Sequence, residues 1–261
     1  HCLWYRATSR YITRRALRTV KRYKFAESEP FFLWVYYSDP HGPYIRHRGF
    51  KPTGKLYRHR YDSEIKYTDH WLGRMMARFE ELGLLKNTVI VITSDHGEAL
   101  KKSEDHGVLL HSANLYDELI HVPLIIAGPG IKPRRVKIPV STIDIPSTFM
   151  ELAGLKPSPD HRGTSLVPYL RGESPPHPPV FFEKHRRQDT PLKGMIKWPY
   201  KVIGNMFKRK RVEVYDLVKD PGERKRLKPA DLKPGLYDAL LKEFWHWVNN
   251  VRKPTNDRYR H

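Results

Sequence analysis

The sequence predicts an α/β protein: a mainly parallel sheet flanked by helices, plus a small C-terminal antiparallel sheet with a covering helix. Three observations predict it. Residues 89–92, Val-Ile-Val-Ile, form an uninterrupted β-branched run of the kind buried on both faces of a parallel sheet. An apolar run at 31–37, a long helical pattern at 61–84 and that β-branched run follow one another in βαβ proportions. After Pro179, short strand-like segments punctuated by turn residues precede an amphipathic helix.

Taken in order, residues 11–25 read YITRRALRTVKRYKF. Ile12, Ala16, Val20 and Tyr23 fall on one face of a helix and the basic residues elsewhere. Pro30 precedes FFLWVYY at 31–37, which runs into Ser38-Asp39-Pro40-His41-Gly42-Pro43-Tyr44, a Pro-rich loop at a strand end. Residues 45–59 are basic and irregular. In the helix at 61–84, Tyr61, Ile65, Leu72, Met76, Phe79 and Leu82 form the expected apolar stripe, and Gly83 stops it. The β-branched strand then ends abruptly at Thr93-Ser94-Asp95-His96-Gly97.

An acid beside an imidazole at the carboxyl end of a buried strand is costly in a core, and in open α/β sheets that end is where ligands bind. Asp95 offers hard oxygen donors and His96 a borderline nitrogen. Together they suit Ca²⁺, Mg²⁺ or Mn²⁺ if further oxygens join them, and Zn²⁺ if further nitrogens do. A capping aspartate beside a surface histidine accounts for the pair equally well. Residues 122–127 give a third strand, ended by Gly128-Pro129-Gly130. Asp144 then caps or braces a helix that Gly154 stops. Glu173 to Pro179 is a Pro-rich connector, the expected internal boundary. Beyond it lie strand segments at 180–183, 195–198, 200–203 and 212–217, and a helix at 236–251.

The 261 residues suffice for one large domain or two small ones, and no apolar run approaches the roughly 20 residues of a membrane helix. The single cysteine, Cys2, excludes an internal disulfide and a cysteine-built metal site, so cysteine usage does not separate an exported protein from a cytoplasmic one. The start, His1-Cys2-Leu3-Trp4-Tyr5-Arg6, shows no leader pattern and is read as that of a fragment or a processed chain. A net charge of +20, densest at Lys208-Arg209-Lys210-Arg211, attracts polyanions. A solvated basic surface explains it without nucleic acid, and a polyanionic glycan is the partner class kept open.

The ordered series Ser94-Asp95-His96-Gly97-Glu98, Asp105-His106-Gly107, His111, Leu115-Tyr116-Asp117-Glu118 and Val122-Pro123-Leu124-Ile125-Ile126 resembles the C-terminal half of the sulfatase family, within the alkaline-phosphatase-like superfamily. Further along, Tyr215-Asp216-Leu217 through Asp220-Pro221-Gly222-Glu223 resembles the family's DPGE hairpin. The resemblance implies an alkaline-phosphatase-like fold and metal-dependent hydrolysis of sulfate esters. Residues 1–179 would be the C-terminal part of the catalytic α/β domain and 180–261 a small sheet-and-helix subdomain. It implies Asp95 and His96 as metal ligands, with Ca²⁺ the first choice and Mg²⁺ or Mn²⁺ the alternatives. His41, in the matching DPHGPY loop, would contact the sulfate or the leaving oxygen. His111, four residues after Gly107, would bind sulfate and protonate the leaving group; a histidine can do so near neutral pH. The family's nucleophile motif, a Cys or Ser in CxPSR converted to formylglycine, has no counterpart here: at Cys2, Trp4 and Tyr5 replace Pro and Ser. Two alternatives stand beside this reading. One is a phosphate or phosphonate ester hydrolase, or a phosphoethanolamine transferase, of the same superfamily. The other is a non-catalytic polyanion-binding protein.

Overall fold

The computed structural model describes residues 8–23, 30–100, 106, 114–156, 158, 160–184, 191–207 and 211–250. The chain divides into two units, residues 1–92 with 124–130 and residues 93–123 with 131–261. No helix among the described residues is long and apolar enough to cross a membrane.

In the first unit, helix α1 (Ser9–Arg22) buries Ser9, Thr13, Ala16 and Val20, residues spaced to share one face. They pack with helix α2 (Tyr57–Glu81), and Ala16, Val20, Met75, Phe79 and Leu84 form the core. The buried face of α2 departs from the expected stripe in its first half. Ser63, Glu64 and Tyr67 are buried there, while Ile65 is 41% exposed. One residue is about 100° of helix, so the face has turned by that much, and the cause is polar: Glu64 points inward at His47. Gly83 ends the helix in the left-handed region, at φ 70°, before a short 3₁₀ turn.

Residues 31–37 are not the doubly buried strand the sequence predicts. They form no ladder with another strand among the described residues. Phe31, Leu33 and Val35 pack on the α1–α2 core, whereas Phe32, Trp34 and Tyr36 face outward, Trp34 at 80% exposure. The segment is half covered, and an alternating pattern of burial replaces the uniform one. Strands β1 (Ile90–Thr93) and β2 (Leu124–Ala127) make a two-stranded sheet.

In the second unit, the short helices α3 (Asp117–Ile120), α4 (Asp144–Leu152) and α5 (Val167–Leu170) precede a four-stranded antiparallel sheet. Its strands, β3 (Val180–Lys184), β4 (Leu192–Lys197), β5 (Tyr200–Asn205) and β6 (Val212–Asp216), pair in sequence order, each with the next. Met195, Val202 and Val214 line one face, and helix α6 (Leu236–Asn250) seals it with Leu240 and Phe244. Each of those two side chains contributes about 1.5–3 kcal/mol by leaving water. Trp247 extends the seal by stacking on Phe181, rings 4.6 Å apart. At Gly204 the Phe244 ring leaves no room for a side chain: a Cβ would come within 2.7 Å of it. Asp144, the first residue of α4, is the brace its sequence suggests. It is buried, and it accepts the Ser141 and Thr164 N–H groups at 2.6 and 2.8 Å.

Candidate active site

Directly after β1, the chain turns at Asp95 and His96. Their positions follow from Gly97, whose N–H donates to the Leu119 carbonyl at 2.8 Å and whose missing side chain lets the Glu118 carbonyl approach. A Cβ at Gly97 would lie 2.2 Å from that oxygen. The glycine therefore serves close backbone packing against α3 rather than approach to a ligand. Asp95 is 61% exposed and His96 39%. The His96 Nδ1 faces the Gly97 carbonyl at 2.8 Å, and its Nε2 is 3.9 Å from an Asp95 carboxylate oxygen. A carbonyl only accepts, so the Nδ1 carries the proton and, in the neutral ring, the lone pair sits on Nε2, the atom nearer Asp95. One hard cation with bonds of about 2.3–2.6 Å spans such a pair. The donor set fits the divalent metal the sequence predicts.

His41 belongs to the first unit and is exposed. Its N–H closes a turn onto the Ser38 carbonyl, and its Nδ1 faces the Gly42 carbonyl at 2.6 Å. That is the arrangement of His96, a ring tied back to the following glycine, with Nε2 left as the basic atom of the neutral imidazole. Tyr44 closes the loop against the rings of Tyr57 and Tyr61. His111 lies outside the described residues.

His106, in the same stretch of sequence, is held at both nitrogens: Nδ1 lies 2.9 Å from Glu118 and Nε2 3.1 Å from the Glu223 carbonyl. Its ring stacks on Tyr116 at 3.6 Å. His106 and Glu223 both have left-handed backbones, φ 48° and 52°, which non-glycine residues seldom adopt. Beneath them the fully buried Lys201 ammonium lies 2.8 Å from Asp117 and 2.6 Å from Glu223. Burial nevertheless pushes the Glu223 carboxyl up, with Lys201 opposing. Tyr116 and Tyr215 both donate to Glu213, and burial together with that carboxylate pushes the Tyr116 phenol up. The LYDE and DPGE motifs thus meet in a brace, not in a reactive cluster. Asn114 joins it, accepting the Tyr116 N–H at 3.2 Å.

One cluster went unseen in the sequence. Asp39, His47 and Glu64, in the first unit, bring three donor atoms within 4.8 Å of one another. They are 8 and 17 residues apart; Asp39 opens the DPHGPY loop, and His47 and Glu64 belong to none of the motifs above.

The Sulfatase family profile matches residues 3–155, more than half of the chain. The chain belongs to the sulfatase family. A second profile, the C-terminal region of N-sulphoglucosamine sulphohydrolase, matches residues 105–250. Among curated relatives, the Δ4,5-hexuronate-2-O-sulfatase of Bacteroides thetaiotaomicron is 34% identical over 183 residues, which cover 67% of this chain and 37% of that protein. The match spans between 18% and 37% of the length of such curated relatives. Among solved structures, a protein in complex with its substrate D-glucosamine-2-N,6-O-disulfate is 26% identical with a TM-score of 0.60, covering 74% of this chain and 40% of that one. The phosphonate monoester hydrolase of Agrobacterium radiobacter is 27% identical, also with a TM-score of 0.60 and with the same coverage. The neighbours establish an alkaline-phosphatase-like fold for the sulfatase chain.

Proposed function

We propose that the protein containing this chain hydrolyses sulfate esters with the help of a divalent metal, and that its substrate is a sulfated saccharide. The observation that carries the reading is the pair at the end of β1, Asp95 beside a His96 whose Nδ1 is tied to Gly97 and whose Nε2 faces the carboxylate, within a chain that belongs to the sulfatase family. Residues 1–179 are taken as part of the catalytic α/β domain and 180–261 as its small C-terminal subdomain. In that domain β1, β2 and the extended residues 31–37 would belong to one mainly parallel sheet.

Asp95 and His96 would hold the metal, Ca²⁺ by preference for the carboxylate, which when bound neutralises sulfate oxygens and acidifies a nucleophilic hydroxyl. His41 keeps its Nδ1 proton on Gly42 and presents a basic Nε2 to the sulfuryl group or leaving oxygen. His111 would donate the proton that the departing alcohol takes. The substrate class rests on the relatives, one named for a hexuronate 2-O-sulfate and one solved with a glucosamine disulfate, and the +20 charge of this chain suits an anionic glycan. The phosphonate monoester hydrolase among the structural neighbours favours a second reading, a phosphonate or phosphate ester as substrate.

The test is turnover of matched sulfate, phosphate and phosphonate esters by the full-length polypeptide. Sulfate esters should be preferred, and Asp95→Asn should lower their turnover by about a hundredfold or more while leaving the circular dichroism spectrum unchanged. His111→Ala should slow esters of poor leaving groups more than those of good ones. A preference for phosphonates would select the second reading, and a fully active Asp95→Asn enzyme would overturn the metal assignment.

A further inference from the structure

We propose that Asp39, His47 and Glu64 form a cation site of the Zn²⁺ type within the first unit, separate in its residues from Asp95 and His96. The three side chains are 4%, 7% and 0% exposed. The His47 Nε2 lies 2.7 Å from one Glu64 oxygen and 3.5 Å from an Asp39 oxygen. That nitrogen carries at most one proton, so it satisfies Glu64 and leaves Asp39 beyond good hydrogen-bond range. The other Asp39 oxygen accepts from the Ser9 N–H and hydroxyl, at the first residue of α1. The second Glu64 oxygen is fully buried and has no hydrogen-bond partner among the described residues, although the Ile45 N–H is near enough to favour the charged carboxylate. Two buried carboxylates around one imidazole thus leave one Glu64 oxygen without a hydrogen bond and hold Asp39 3.5 Å from the nitrogen between them, an arrangement that costs free energy unless a cation or further protons join it.

A divalent cation answers both needs. The His47 nitrogen, one Asp39 oxygen and one Glu64 oxygen make three donors, and a water on the cation would complete the tetrahedron and donate to the second Glu64 oxygen. The small buried set of one imidazole and two carboxylates suits four-coordinate Zn²⁺ rather than Ca²⁺, which takes six to eight oxygens, or Mg²⁺, which demands six. Tyr67 stacks on the His47 ring, centroids 3.5 Å apart and planes within 4°, and fixes its direction. The present 2.7 Å spacing is that of a shared proton. Tetrahedral bonds of about 2.0–2.1 Å put the donors roughly 3.3 Å apart, so Glu64 would withdraw by about half an ångström.

The chain itself, stripped of metal and titrated with Co²⁺ and then Zn²⁺, tests this. The expected result is one equivalent of Co²⁺ with the strong visible absorption of a tetrahedral site, displaced by Zn²⁺. His47→Gln and Glu64→Gln should each lose that absorption, and Asp95→Asn should keep it, which separates this site from the one proposed for hydrolysis. Circular dichroism checks that each variant folds. Zinc-edge anomalous diffraction from wild-type crystals grown with Zn²⁺ needs no variant, and the peak is expected among the three side chains. No tetrahedral absorption, absorption that survives His47→Gln, or an anomalous peak elsewhere would overturn the proposal and leave a proton-bridged cluster.

Discussion

In the second unit Lys201 stands between Asp117 and Glu223; in the first, His47 stands between Asp39 and Glu64. Both arrangements set two carboxylates around one nitrogen base, all buried in the first unit and with only Asp117 partly exposed in the second. The ammonium carries three N–H donors and reaches both partners, at 2.8 and 2.6 Å, with the Phe182 ring 5.7 Å away as a further neighbour for the charge. The imidazole meets its pair through a single nitrogen and serves them unequally, at 2.7 and 3.5 Å. Donor count decides the outcome: the lysine cluster is closed, whereas the histidine cluster keeps acceptor capacity that a cation can fill.

Breaking the closed cluster has the largest expected effect. Lys201→Met leaves Glu223 and Asp117 without their cation inside unit two, and should cost about 3–5 kcal/mol, read as a lower urea midpoint at neutral pH. A loss under about 1 kcal/mol would mean the two acids had already found other partners. Next comes His47→Ala in the metal-free chain. Asp39 keeps its Ser9 donors, so the expected loss is that of one buried acceptor left unsatisfied, about 1–3 kcal/mol. A loss equal to that of Lys201→Met would erase the distinction between the clusters.

The smallest effect is a slope. The Glu223 carboxyl is raised above its ordinary 4.5 because burial outweighs Lys201. A raised carboxyl binds its proton more tightly folded than unfolded, so its stabilising share is complete below 4.5 and is lost as pH rises through the folded value. Relative to Glu223→Gln, the wild type should therefore gain stability as pH falls from neutral toward 4.5. Urea midpoints of the two chains across that window measure it, and parallel profiles would mean that Lys201 fully offsets the burial of Glu223.

What was legible in the sequence was what local pattern controls. The alternation and turn residues of 180–217 gave strands close to β3–β6, and the apolar face of 236–251 gave α6. Asp144 was readable as a brace because its place at a helix start has few other uses. Residues 31–37 are covered on one face only among the described residues: composition reports apolarity, while a strand's second face depends on what lies alongside it, which residues 31–37 do not encode. The stripe of α2 was misplaced for a related reason. Only the fold brings His47 to Glu64, so nothing nearby in sequence marks that glutamate as inward. At the proposed active site, motif order supplied Asp95, His96 and His41, and the two histidines' shared habit of bonding the next glycine's carbonyl was visible only in three dimensions.

The tyrosines have an optical consequence. Burial raises the phenols of Tyr37, Tyr116, Tyr169 and Tyr215, whereas Tyr11 and Tyr23 stand in solvent. In alkali these four rings hold their protons longer than a free phenol does, so their part of the ultraviolet tyrosinate band is held back. That part is released as the protein opens, since burial and, for Tyr116 and Tyr215, the Glu213 carboxylate favour the protonated ring. Tyr37 belongs to the first unit and the other three to the second. The late absorbance is therefore a record, weighted toward the second unit, of when the interior meets water.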